Sequence, residues 1–133
     1  MPAAAQSTFA LSRIGQIHVT VEDLARAVRF YRETLGVRFL FEVPGMAFFD
    51  CDGVRLMLGV AERSGDARHA SILYFRVGDI HQTHRTLADR GVRFEGEPHL
   101  VAKLEDHDLW MAFFRDSENN MMAVMSEVAR TNS

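Results

Sequence analysis

The sequence predicts an α+β domain made of two copies of a strand–helix–three-strand unit. Three observations carry that expectation. Val21-Glu22-Asp23-Leu24 is answered 56 residues later by Val77-Gly78-Asp79-Ile80. Leu35-Gly36-Val37-Arg38-Phe39 is answered 55 residues later by Arg90-Gly91-Val92-Arg93-Phe94. Met46-Ala47-Phe48-Phe49 recurs letter for letter 65 residues later as Met111-Ala112-Phe113-Phe114. Three matches in one order mark an internal repeat. The growth of the offset from 55 to 65 places an insertion at residues 96–106.

The elements follow from periodicity. From Ile14 to Val21 polar and apolar residues alternate, which puts Gln16, His18 and Thr20 on one strand face and Ile17, Val19 and Val21 on the other. Asp23 is a helix N-cap, and Leu24, Ala27, Val28, Tyr31 and Leu35 form an apolar helical stripe that Gly36 closes. Strands follow at Val37–Glu42, Met46–Asp50 and Val54–Val60, separated by the Pro44-Gly45 and Asp52-Gly53 turns. Polar residues 61–70 read as a linker. The second copy runs from a strand at Ser71–Val77 through an N-cap at Asp79 and a helix carrying Ile80, Thr83, His84 and Leu87. Val92–Glu95 is expected to be its second strand, Glu97–Lys103 irregular, and His107–Arg115 with Asn120–Ser126 a closing hairpin. This gives one domain over 13–128, with modules at 13–60 and 71–128 and loose tails at 1–12 and 129–133.

Composition narrows the partners. The 133 residues are 47% hydrophobic and 25% charged, ordinary for a globular domain with a sizeable core. A net charge of −3 with both signs interspersed argues against nucleic acid or an anionic membrane surface as partner. No apolar run has transmembrane length, and the first residues lack the pattern of a signal peptide. Cys51 stands alone, which excludes an intramolecular disulfide and fits a cytoplasmic location.

At the level of motifs the chain resembles the vicinal oxygen chelate superfamily of glyoxalase I, extradiol dioxygenases and bleomycin-resistance proteins. The resemblance rests on Val21-Glu22-Asp23-Leu24 with Phe30-Tyr31-Arg32-Glu33-Thr34-Leu35-Gly36, and on the turn Phe114-Arg115-Asp116-Ser117-Glu118-Asn119-Asn120. In that turn Ser117 and Asn119 replace the family's Pro and Gly. The resemblance implies two βαβββ modules forming a curved eight-stranded sheet around a central cavity, with the helices outside. It also implies a divalent metal held by the first and last strand of each module. Carried over position by position, the four ligand places fall on Gln16, Met57, Ile72 and Ala123. None of these side chains ionises, whereas a hard octahedral metal needs carboxylate and imidazole donors. The expectation is therefore no metal and no cofactor.

His18 lies two residues after Gln16 and shares its face. It is either a proton-transfer group in the cavity or a structural histidine hydrogen-bonded to its neighbours. His81 and His84, three apart on the second helix, and His107 in its acidic surroundings are expected to be solvated or at a rim. Phe48, Tyr74, Trp110 and Met125 join Gln16, His18, Met57, Ile72 and Ala123 as expected ligand-binding residues. Methionine and aromatic walls suit apolar or aromatic ligands, although the same residues serve as ordinary core. Three functions follow: binding of a small apolar or aromatic molecule in the cavity or a dimer groove; a metal-independent isomerase or lyase using His18; or a metalloenzyme with relocated ligands. A homodimer is expected from the resemblance and from the need of each module to cover its open face.

Overall fold

The computed structural model describes residues 9–61 and 71–130. The expected linker, apart from Ala61, and the outermost tail residues lie outside the described residues. The first module consists of β1 (Gln16–Val21), α1 (Leu24–Arg29), β2 (Arg38–Val43), β3 (Met46–Cys51) and β4 (Val54–Val60). The second consists of β5 (Leu73–Arg76), α2 (Ile80–Asp89), β6 (His99–Lys103), β7 (His107–Arg115) and β8 (Met121–Ala129). The eight strands form two sheets of four, ordered β1-β4-β3-β2 and β5-β8-β7-β6. In each sheet the first strand runs parallel to the last and the other pairings are antiparallel. Among the described residues, no helix is long and apolar enough to cross a membrane.

Both helices start as the sequence predicts. The Asp23 carboxylate accepts from Arg26 N and the Asp79 carboxylate from Gln82 N, each at 3.0 Å. Gly36 and Gly91, at φ of +78° and +92°, turn the chain out of the helices. The odd-numbered face of β1 packs beneath α1. Val19, Val21, Ala47, Phe49, Leu56 and Leu58 are buried with Ala27 and Tyr31, in one core continuous with Ile80, Leu87, Ala112, Phe114, Met122 and Val124. Burying side chains of this size stabilises the fold by roughly 1.5–3 kcal/mol each.

Two expectations about the elements are corrected. The first helix changes register after Arg29. Phe30–Thr34 form a π-helical turn, with Leu35 N donating to Phe30 O at 2.9 Å. Val92–Glu95 is not the second strand of its module. Only Phe94 bridges to Phe114; the chain leaves the sheet at 96–98 and returns as β6, where His99 pairs with Met111. Pro98 lacks the N–H a ladder needs and falls in that break, and the strand lies within the stretch predicted to be irregular, at His99–Lys103. The equivalent break in β2 is a bulge between Phe39 and Phe41. The insertion thus widens an existing irregularity rather than adding a loop between elements.

The β7–β8 turn clasps the first module. Tyr31 Oη donates to Asp116 Oδ2 at 2.6 Å, and Asn120 Nδ2 donates to Thr20 O at 3.1 Å. Asp116 also accepts from the N–H groups of Glu118 and Asn120, each at 2.8 Å, and from Asn120 Nδ2 at 3.1 Å. Burial and then the adjacent Asp116 carboxylate push the Tyr31 phenol well above its usual pKa, so it stays a donor. Glu118 accepts from Glu22 N and Asp23 N at 2.9 Å and from Arg26 Nε at 2.7 Å, closing the open N-terminus of α1. Asn119 occupies the turn's left-handed position at φ +70°, a conformation asparagine tolerates where the family has glycine.

Candidate functional site

Strand alternation leaves each sheet with a second face, turned away from its helix. On the first sheet the ladder arranges that face in three rows. Arg38, Asp50, Arg55 and Gln16 are in register, then Phe41, Phe48, Met57 and His18, then Val43, Met46, Gly59 and Thr20. The second sheet repeats the plan, with Phe113, Ala123 and Tyr74 in one row and His99, Met111, Met125 and Arg76 in the next.

The middle row of the first sheet is aromatic. Phe41 and Phe48 stack with ring centroids 4.5 Å apart. Gln16 Nε2 reaches Met57 Sδ at 3.9 Å across the β1–β4 pairing. His18 leans over Gly59. A Cβ added to Gly59 would stand 2.5 Å from His18 Nε2, so only a glycine leaves the imidazole its place. Among the described residues no side chain or backbone group hydrogen-bonds His18. The residue is exposed, with Nε2 the ring atom nearest Gly59.

On the second sheet Tyr74 and Phe113 meet edge to face at 5.9 Å. Ala123 lies between them in register and is wholly buried. His99 stacks beyond Phe113 at 6.3 Å. Arg76 pairs with Glu127 and Arg115 with Glu95, each at 3.2 Å.

Most of the residues singled out in the sequence lie on these two faces: Gln16, His18, Phe48 and Met57 on the first, Tyr74, Ala123 and Met125 on the second, and Ile72 one residue before β5. Trp110 does not. It shares the parity of Ala112 and Phe114, packs against the core and meets His81 edge to face at 5.1 Å beneath α2. By that parity Trp110 lies on the helix side of its sheet, apart from the other residues expected to bind a ligand. His84 lies against Phe94 at 4.3 Å. His107 Nδ1 bonds Asp106 at 2.7 Å, which holds that carboxyl below its usual pKa. Arg130 ties the same corner to Asp108 and to the Leu104 and Glu105 carbonyls. Burial raises the Cys51 thiol pKa, as expected of an inert cysteine.

Among the described residues no three His, Cys, Asp or Glu side chains converge as a metal site. A small apolar crevice of about 140 Å³ lies on the helix side, between Leu35, Val37, Leu87 and Phe114. The face residues that sequence reasoning missed are Phe41, Arg55, Gly59 and Phe113. Gly59 carried a signal, because an isolated glycine inside a strand marks a close approach. Phe113 repeats Phe48 and Arg55 lies two residues from Met57 on one strand, whereas Phe41 follows only once the bulged β2–β3 register is known.

Comparison with known proteins gives a consistent result. Residues 13–124 match the model of the Glyoxalase/Bleomycin resistance protein/Dioxygenase superfamily. The uncharacterized protein YraH of Bacillus subtilis (strain 168) is 29% identical over 126 residues, covering 82% of this chain and 94% of that protein. A glyoxalase/bleomycin resistance protein/dioxygenase from Nocardioides superimposes with a TM-score of 0.72 at 19% identity, covering 98% of this chain and 95% of its own. A lactoylglutathione lyase from Agrobacterium tumefaciens does so at 0.69 and 21% identity, covering 88% and 95%. Such identities establish the fold alone, but the family match spans most of the sequence. The chain belongs to the Glyoxalase/Bleomycin resistance protein/Dioxygenase superfamily.

Proposed function

We propose that this protein binds a small apolar or aromatic molecule against the helix-free faces of its sheets, without a metal, in a cavity that a second copy closes. The observation that carries the proposal is the chemistry of the four places where the family's ligand pattern falls. Gln16 offers an amide already turned to Met57 sulfur, and Met57 a thioether. Ile72 offers no donor. Ala123 offers a methyl group buried between Tyr74 and Phe113. A hard divalent cation asks for several oxygen or imidazole donors in a tight polyhedron, and this set does not fit one. The steps a metal would perform by polarising a carbonyl or binding oxygen therefore have no support from these residues.

The same faces favour an apolar guest. Phe41, Phe48, Met57, Phe113, Met111 and Met125 offer polarisable surface, while Gln16, His18 and Tyr74 supply the few polar groups that would orient a ligand. Within one chain these surfaces are open: Phe41 is 45% and Tyr74 43% exposed. Covering them against a second copy removes that apolar area from water and encloses the guest. Light scattering is expected to give a dimeric mass at micromolar concentration; a monomer would remove the enclosing partner.

One observation favours a second function, a metal-independent isomerase or lyase. His18 is exposed, shares the Gln16 face and is seated against Gly59, which leaves an imidazole on the proposed binding face as a group able to give or take a proton. The decisive experiment is titration of chelator-treated protein with Mg²⁺, Mn²⁺, Ni²⁺, Zn²⁺ and Fe²⁺ by calorimetry, followed by a screen of apolar and aromatic small molecules with product analysis. The binding function predicts no stoichiometric metal and a ligand recovered unchanged. Stoichiometric metal that survives dialysis and is lost in His18→Ala would overturn it. A ligand converted by the wild type, but only bound by His18→Ala, would establish the catalytic alternative.

A further inference from the structure

We infer that the first sheet takes a planar aromatic anion, its ring against the Phe41–Phe48–Met57 row and its negative group on Arg55; the inference rests on the binding function proposed above. Arg55 sits one pleat repeat from Met57 on β4, so its side chain rises beside the aromatic row rather than apart from it. Its guanidinium carbon lies 5.9 Å from the Phe48 ring centroid, at the outer limit of a cation–π contact. The guanidinium thus lies over the Phe48 ring without a hydrogen-bond or salt-bridge partner among the described residues, and a carboxylate attached to an aromatic on this row would meet its N–H donors in pairs.

The electrostatics of the row select the sign. Arg38 and Arg55 flank Asp50 in register, two positive charges against one negative. Gln16 completes the row with a neutral amide. The Asp50 carboxylate accepts from Gly53 N at 3.2 Å in the hairpin turn. No carboxylate among the described residues lies within salt-bridge distance of Arg38 or Arg55. That row thus carries two guanidinium groups against one carboxylate, in a chain whose net charge is −3. The second sheet differs, because its Arg76 and Arg115 are each already paired with a glutamate. A neutral aromatic would use the ring wall and leave the arginines idle; an aromatic cation would be repelled.

The test uses the full chain and two probes with one ring system, 2-naphthoate and 2-naphthamide, in calorimetry and in amide NMR titrations. Naphthoate is expected to bind about tenfold more tightly than naphthamide, the increment of one charge-assisted pair. Added salt should weaken naphthoate alone. Arg55→Gln should bring naphthoate to the level of naphthamide and leave naphthamide within about twofold of wild type. Arg55→Lys should recover part of the preference, which a purely structural arginine would not do. Equal affinity of the two probes for the wild type would overturn the anion inference and leave apolar binding standing. If neither probe shifts the resonances of Phe48, Met57 and Gln16, the binding function beneath it falls as well. Should Arg55→Gln fail to fold, the wild-type comparison and its salt dependence decide alone.

Discussion

The two modules share a framework and differ in what they hang on it. In the matching middle rows, Phe48, Met57 and His18 of the first sheet stand where Phe113, Ala123 and Tyr74 stand in the second. Each sheet keeps a phenylalanine in that row and uses one small residue to admit a ring. In the second the small residue is Ala123, and the rings of Tyr74 and Phe113 close over it. In the first it is Gly59, one row further on, and His18 fills the space without closing it. One face is thereby made into a wall, and the other keeps an open polar group beside an aromatic shelf. The hairpin turns diverge more. In the repeat, Asp116 and Glu118 of the β7–β8 turn correspond to Cys51 and Gly53 of the β3–β4 turn. Only the second module's turn therefore carries carboxylates that clasp the helix of the other. Duplication preserved the ladders, whose hydrogen bonds are backbone groups, and left the turns free to specialise.

Removing the clasp is the most damaging way to break that asymmetry. Asp116→Ala strips the acceptor from Tyr31 Oη, from two backbone N–H groups and from Asn120 Nδ2, all buried. A loss of roughly 3–5 kcal/mol is expected in chemical denaturation, because the stranded donors keep their desolvation cost. Tyr31→Phe should cost less, about 1–2 kcal/mol. Its effect should nearly vanish in the Asp116→Ala background, the signature of a shared bond in a double-mutant cycle. Additive losses would mean that the two groups stabilise the fold separately.

Glu118 sharpens the same contrast through pH. Its side chain is only 1% exposed and burial pushes the carboxyl pKa up; the bonds from Arg26, the Asp23 and Glu22 N–H groups and Ser117 outweigh this and bring it from 4.5 down to about 2. The folded state therefore holds the proton less tightly than the unfolded one. Its contribution is complete above the unfolded value and is lost as pH falls from about 5 toward 2. Because Arg26 is half exposed, its size is set at about 2 kcal/mol rather than the full shift. Denaturation midpoints should fall over that range in the wild type, and Glu118→Gln should flatten the slope while lowering stability at neutral pH. An unchanged slope would assign the acid sensitivity to other carboxylates.

The framework was legible because it is local and periodic. Asp23 and Asp79 announce caps, Gly36 and Gly91 helix ends, and the alternation in Ile14–Val21 both faces of a strand. What escaped depends on partners far away in sequence. The π turn at Phe30–Thr34 accompanies Tyr31's bond to Asp116, 85 residues distant, and no helical period encodes that. β6 lies beyond an interruption at 96–98, and its short run lacks the alternation that would mark it as a strand. Residue type alone suggests a cavity role for Trp110, whereas its parity with Ala112 and Phe114 puts it on the helix side. Parity alone puts Gln16 and His18 on one face of β1, and the β1–β4 register sets them opposite Arg55 and Met57. Arg55 joins that face by its alternation with Met57, but Arg38 joins it only through the bulged β2–β3 register.

The smallest expected effect tests the open polar group itself. Gly59→Ala places a Cβ where the His18 ring now lies, and the obstructing atom is the far end of a side chain that can rotate away. Backbone strain is absent, and alanine is a tolerable strand residue, so stability should change by under about 1 kcal/mol. The imidazole, by contrast, must leave its seat. Its ring resonances in ¹H–¹⁵N correlation spectra should move, and any ligand oriented by His18 should bind as it does to His18→Ala. Combining the two substitutions should then add nothing further to the loss of binding. An intact His18 environment in Gly59→Ala would show that the glycine does not hold the ring, and the first sheet's open group would then owe its position to the ligand or the partner chain instead.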